Sequence, residues 1–349
     1  MRDYNYRKRW QELLTPEIVK KLTLIYEYKG EQLFFIEAHK DEFNELAEIA
    51  KVQSAEASNK IEGISIADDR LKNLVQSKTT PRNREESEIA GYRAVLNIIH
   101  ENYEYIPVNT NYILQLHKDL YRFISSVEGG RFKTSDNIIR KKDIEGNVKI
   151  RFKSVAASET SASIDEMCKA FDEAKDEVDM LLLVLIFILD FLCIYPFNNG
   201  NWRMSRLLTL LLLFQAGFSV GKYVSIEKII EESKEIYYEV LQESFIKWHE
   251  NENDYKPFVN YMLGVIISAY KKFESRGKLL IAPDLSKPDR IREIIKKHIG
   301  TITKSELVEM NPDISNTTVQ RALAELVKNG EIEKIGGGRY TKYVWKGEN

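Results

Sequence analysis

Apolar residues recur at intervals of three and four along most of this chain, the period of a helix with one buried face. The pattern predicts helices over residues 41–62, 85–101, 109–124, 161–174, 178–194, 203–216, 226–245 and 255–275. Pro107 and the Asn109-Thr110 pair separate the second from the third. Met180 to Ile194 is apolar on every face apart from Asp190, as a helix buried all round would be. Its 15 residues fall short of the roughly 20 that a bilayer span needs. Residues 1–20 are charged and lack an apolar signal core, so no membrane contact is expected.

One segment breaks the helical period. Ile138-Ile139 and Val148-Lys149-Ile150-Arg151-Phe152 flank Glu145-Gly146-Asn147 and predict a small β-hairpin. Near residues 276–289 the periodicity lapses among Gly277, Pro283, Ser286 and Pro288, which reads as a linker. Beyond it, a helix is expected from Arg290 to His298, a second opened by Thr303 or Ser305, and a third capped by Ser315. Two strands, Gly330–Ile335 and Tyr340–Trp345, would follow about the turn Gly336-Gly337-Gly338-Arg339. This order reads as a winged helix-turn-helix. The expected fold class is an all-α core with a β-hairpin, plus a small α+β unit. The expected division is an N-terminal helical region (1–105), a core (106–275), a linker (276–289) and the winged unit (290–349).

Composition narrows the function classes. The 349 residues leave room for two or three domains, and 43% hydrophobic with 30% charged residues is a globular balance. A net charge of -2 gives no global field, so any nucleic-acid surface must be local. Residues 287–349 hold 12 Lys and Arg against 9 Asp and Glu, a mild positive surplus. If this unit reads DNA, Thr317, Thr318, Gln320 and Arg321 on its third helix are the candidate base readers. Arg339 and Lys342 would touch phosphate. Such units also serve as protein-interaction modules. Cys168 and Cys193 form neither a disulfide framework nor a metal cluster, which suits reduced thiols in a cytoplasmic protein. The five histidines show no metal-ligand spacing, and His117 sits on an amphipathic helix as a packing residue.

The chemistry concentrates between Tyr195 and Arg206. A buried helix ends at Tyr195-Pro196, the loop Asn198-Asn199-Gly200-Asn201 follows, and a new helix begins near Trp202. A helix start offers free N–H groups and a positive dipole end to an anion. Arg203 and Arg206 share one face of that helix and suit a phosphate clamp. On spacing alone, a polar cap with two surface arginines is the better reading of them.

The stretch Tyr195 to Arg206 resembles the signature loop of the Fic family, His-Pro-Phe-x-Asp/Glu-Gly-Asn-Gly-Arg-x-x-Arg. Pro196, Phe197, Gly200, Asn201, Arg203 and Arg206 match. The resemblance implies a helical Fic core that transfers AMP from ATP with Mg²⁺ to a protein hydroxyl. It implies phosphate contacts for Gly200, Asn201, Arg203 and Arg206, and a core anchor in Phe197. Three positions depart. Tyr195 stands at the catalytic histidine, and a phenol with an ordinary pKa near 10 is a poor base at neutral pH. Asn199 stands at the acidic position that holds magnesium, and its neutral amide should bind the metal more weakly. Trp202 stands where the family has glycine.

Ser58-Asn59-Lys60-Ile61-Glu62-Gly63 resembles the family's inhibitory motif. The resemblance implies that Ser58 and Glu62 share a helix face stopped at Gly63, and that Glu62 pairs with Arg206 in the place of the ATP γ-phosphate. Gly130-Arg131-Phe132-Lys133 resembles the element before the family's flap, with Lys133 in the arginine place. The hairpin would then be the flap, with Ile138, Val148, Ile150 and Phe152 at the docking strand for a protein target. The sequence leaves three functions open. One is a weakened AMP-transferase restrained by Glu62. Another is a pseudoenzyme that binds nucleotide or protein and regulates through its winged unit. The third is a DNA-binding regulator whose Fic core only forms a homodimer.

Overall fold

The computed structural model describes residues 2–38, 40–66, 68–76, 79–127, 129–142, 148–280, 285–298, 300–338 and 341–346. The chain divides into two compact units, Met1–Lys29 with Ala50–Ala269, and Gly30–Ile49 with Tyr270–Asn349. Most of the chain is helical, in fifteen α-helices among the described residues.

The first unit opens with α1 (Tyr6–Arg9) and α2 (Pro16–Ala38), and α2 carries the chain into the second unit. There follow α3 (Lys40–Ile61), α4 (Asp68–Val75), α5 (Arg84–Asn102) and α6 (Thr110–Leu120). The hairpin is β1 (Ile138–Lys142) with β2 (Val148–Lys153), antiparallel with an irregularity at Ile139/Arg140. Its expected turn at 145–147 lies outside the described residues. Then come α7 (Thr160–Ala174), α8 (Met180–Ile194), α9 (Asn201–Gln215), α10 (Ile226–Glu232), α11 (Lys234–Phe245) and α12 (Lys256–Leu280).

Helix α8 is the axis of the first unit. Asp179 caps it by accepting from the Leu182 N–H, and every residue from Leu181 to Ile194 is buried. It packs against α7 on one side and α9 on the other. Asp190, carried inside by this helix, is met by the Tyr6 hydroxyl at 2.9 Å, the Trp248 indole at 2.6 Å and the Tyr255 hydroxyl at 3.0 Å. The buried Arg2 guanidinium lies 3.3 Å from the same carboxylate. A buried charge needs such partners, and these come from both ends of the unit.

The helical pattern was legible, with physical exceptions. Residues 226–245 form two helices, because the backbone leaves the helical region at Ser233, with φ -122° and ψ 32°. The helix expected to end at 275 continues to Leu280, so residues 276–280 are helical rather than linker. Residues 281–284 lie outside the described residues. Helix α6 stops at Leu120, short of 124, and α9 begins at Asn201, two residues early. Helices α2 and α4 were not anticipated.

In the second unit, α13 (Lys287–Lys297), β3 (Ile302–Thr303), α14 (Lys304–Met310), α15 (Asn316–Lys328), β4 (Ile332–Ile335) and β5 (Lys342–Trp345) enclose a small core. Thr303 and Glu306 form a reciprocal capping box on α14, and Ser315 caps α15. The three strands pair in the order β3-β5-β4. Ile291, Ile295, Leu307, Val319, Leu323 and Ile332 are all buried between helices and sheet. Among the described residues, no helix is long and apolar enough to cross a membrane.

Candidate functional site

The site lies where α8 ends and α9 begins. Tyr195 caps α8 in the left-handed region at φ 52°, an uncommon conformation for a residue with a side chain. The chain then buries Phe197 completely. The His117 ring of α6 lies flat against Phe197, with centroids 3.6 Å apart and planes within 1°. The Gly130 N–H donates to His117 Nδ1 at 2.9 Å, so Nε2 carries the proton and donates to the Asn199 carbonyl at 3.1 Å. Burial lowers the His117 pKa to about 4, which keeps the ring neutral. His117 is thus a packing residue, as expected, and also a strut for the loop.

Asn201 closes the loop on itself. Its Oδ1 accepts from the Phe197 N–H at 2.9 Å and its Nδ2 donates to the Phe197 carbonyl at 2.7 Å. The amide was expected to face phosphate; here its bonds hold the loop's shape. Gly200 has φ +79°, and a Cβ there would stand 2.8 Å from the Tyr121 hydroxyl. Only glycine fits both demands. Lys133 ties the hairpin side to the loop. Its Nζ donates to the Ile194 carbonyl at 3.0 Å and to Ser154 Oγ at 2.9 Å, and its N–H donates to the Pro196 carbonyl at 2.9 Å. Burial lowers its pKa to about 8.

The two arginines are buried, not surface residues; each is 3% exposed. Arg206 donates from Nε to Ser58 Oγ at 2.8 Å and from Nη2 to the Ser58 carbonyl at 2.8 Å and Glu62 Oε1 at 2.6 Å. Burial is the largest single influence and disfavours its charge, but the Glu62 carboxylate together with the nearby Tyr92 and Tyr237 outweighs it, and the pKa is raised. Arg203 donates to the Tyr121 hydroxyl at 2.9 Å. Its Nε lies 3.4 Å from Glu62 Oε2 and its Nη1 3.2 Å from Glu88 Oε2. These are ion-pair distances without hydrogen-bond alignment. Arg203 Nε and Nη1 and Arg206 Nη1 are therefore buried donors with no hydrogen bond from the protein.

Helix α3 delivers Ser58 and Glu62. It ends in a Schellman turn: Gly63 takes φ +86° and donates to the Lys60 carbonyl, and Ile64 donates to that of Asn59. That turn leaves Glu62 just past the last helical residue, aimed at both arginines.

The three departing positions are also placed. The Tyr195 phenol is pushed up to about 12, chiefly by burial and then by the nearby Glu62 carboxylate. Trp202 packs edge-on to Tyr195 at 6.0 Å and to Tyr238 at 5.6 Å between ring centroids. The Asn199 side chain is exposed and offers one neutral amide oxygen. Among the described residues no group of three His, Cys, Asp or Glu lies together as a metal site. The cluster of unsatisfied guanidinium donors fits a phosphate chain, whereas the donor set at 199 does not fit a resident magnesium ion.

Phe152, assigned to the target-docking strand, is buried against Phe245, Trp248 and His249 and anchors the hairpin's base instead. The side chains of Ile138, Val148 and Ile150 lie outside the described residues, and so does Arg339. On α15, Thr317, Gln320 and Arg321 are exposed and Thr318 is half-buried. Sequence reasoning missed Glu88 and Tyr121, which carry no motif of their own.

Comparison with known proteins bears on the fold. The Fic/DOC family model matches residues 107–213. The fold is shared with a Fic family protein from Desulfovibrio desulfuricans G20, 20% identical, over 96% of this chain and 98% of that one, with a TM-score of 0.63. A Fic domain containing signaling protein from Bacteroides thetaiotaomicron is also 20% identical, over 75% and 97%, with a TM-score of 0.57. The 134–508 fragment of Fic-1 from C. elegans is 17% identical, over 77% and 75%, also at 0.57. The chain carries a Fic/DOC domain, and its core has the Fic fold.

Proposed function

We propose that this Fic-fold chain is a nucleotide-binding protein whose adenylyl transfer is disabled at Tyr195 and whose phosphate site is held shut by Glu62. The observation that carries this reading is the Glu62 carboxylate 2.6 Å from Arg206, beside three buried guanidinium nitrogens without hydrogen-bond partners. A phosphate chain supplies the oxygens those donors lack. In AMP transfer the target's hydroxyl oxygen attacks the α-phosphorus, pyrophosphate leaves, and the hydroxyl proton passes to a base at position 195. A phenol whose pKa is about 12 already holds its proton at neutral pH and cannot take another.

Wild type, Glu62→Gly, Tyr195→His and the double variant, incubated with α-labelled ATP and Mg²⁺, test this reading. Label is expected only with histidine at 195, and most strongly with Glu62 removed as well. Restoring a base is worth about 10²–10⁴ in rate. Strong labelling by Glu62→Gly alone would instead make Tyr195 competent. No label in any variant, with no ATP binding to Glu62→Gly, would defeat the nucleotide reading.

A second reading concerns the second unit, which we infer to be a winged helix-turn-helix that contacts DNA. Its support is the capped helix α15 with Thr317, Gln320 and Arg321 exposed, followed by the β4–β5 pair. Specific duplex binding should weaken about 10-fold or more in Arg321→Ala, the size of one base contact. Equal, salt-sensitive binding to every sequence would count against it.

A further inference from the structure

The two signature arginines are held differently. Arg206 faces one carboxylate, Glu62, whose side chain is 19% exposed and stands past the end of its helix. Arg203 faces two. Besides Glu62 it meets Glu88 of α5, whose side chain is 8% exposed and which lies one turn into its helix, with Arg84 Nε bonded at 3.0 Å to its other oxygen. The Tyr121 hydroxyl takes the third edge of Arg203, and the guanidinium carbon lies 5.4 Å from the Tyr121 ring centre. Movement of α3 can withdraw Glu62 from both arginines. Glu88 is carried by a different helix, α5, which packs against α4, α6 and α9.

We propose that Glu88 is a charge-setting positioning residue: it keeps Arg203 oriented and neutralised when Glu62 leaves, so an arriving phosphate chain gains one free guanidinium rather than two. This rests on the reading that a phosphate chain enters the arginine cluster, and Arg206 is the guanidinium that is freed for it. The consequence is a site of deliberately modest positive charge. Arg84 adds little, since its side chain is 65% exposed and screened by solvent. With a neutral amide at Asn199, such a site discriminates against a bare triphosphate and favours a ligand of lower charge, a nucleoside mono- or diphosphate.

Glu88→Gln removes the charge and keeps the shape. The experiment compares wild type, Glu62→Gly and Glu62→Gly/Glu88→Gln by calorimetry with ATP, ADP and AMP across a salt series. A second readout is the side-chain NMR signal of the Arg203 guanidinium, assigned through Arg203→Lys. The double variant should bind ATP about 10-fold more tightly than Glu62→Gly, with a steeper salt dependence and a smaller gain for AMP. Equal or weaker ATP binding by a folded double variant would overturn the proposal. If neither variant binds any nucleotide, the phosphate reading falls and the NMR signal alone decides on Glu88. Arg203 immobile in Glu62→Gly and mobile in the double variant supports the positioning role. Arg203 already mobile in Glu62→Gly refutes it.

Discussion

Glu62→Gln should make the protein less stable and newly responsive to anions. The Arg206 side chain is 2% exposed, so it depends on protein partners for its charge. Removing one partner of a fully buried pair costs about 3–5 kcal/mol. Two features reduce that here: Glu62 is partly solvated, and Arg206 keeps its two bonds to Ser58. A loss of about 2–3 kcal/mol is expected. In a unit of this size each kcal/mol moves the melting temperature by about 2–4 °C, giving a drop of about 4–12 °C. An anion that reaches Arg206 should return the loss, since ligand at 100 times its Kd contributes about 2.7 kcal/mol. Wild type should respond less, because the same anion must first displace Glu62. Thermal melts at low salt with rising tripolyphosphate or ATP check this. A variant that melts with wild type and ignores both anions would refute the buried-clamp reasoning.

The remaining expectations concern the loop. Burial lowers His117 to about 4 from its ordinary 6.5, so the stability of its neutral form is complete above pH 6.5 and is lost as pH falls towards 4. The loss amounts to about 3 kcal/mol, and an NMR titration of the His117 ring should show a midpoint near 4; a midpoint near 6.5 would contradict its burial. Gly200→Ala forces a side chain into the left-handed region and against the Tyr121 hydroxyl. It should cost about 1–3 kcal/mol by denaturant melts, while an unchanged midpoint would show that the loop yields.

Much of the site was readable because its parts are close in sequence. The loop from Tyr195 to Arg206 and the segment Ser58 to Gly63 each carry their spacing on their face. The Glu62–Arg206 pair joined two segments that could each be recognised, and the structure puts them in contact. Glu88 and Tyr121 were invisible for the opposite reason. A lone Glu on an amphipathic helix and a Tyr after a helix end look like any others, and only the packing of α5 and α6 brings them to Arg203. Phe152 shows the limit of pattern on the hairpin: alternation predicts a strand, but burial against Trp248 comes from the turn after α11, remote in sequence. Asn201 shows a motif position whose visible work is structural, since both ends of its amide return to Phe197.

The buried carboxylate of Asp190 imposes an order on synthesis. Its partners Arg2 and Tyr6 leave the ribosome first, whereas Trp248 and Tyr255 follow about 250 residues later. At about 5–20 residues per second, that interval is roughly 10–50 s. Until it ends, the most apolar helix of the chain carries an incompletely paired charge and its core cannot close. Closure of this charge pair thus joins residues 2–6 to residues 248–255, a contact of long sequence separation, the kind that slows folding.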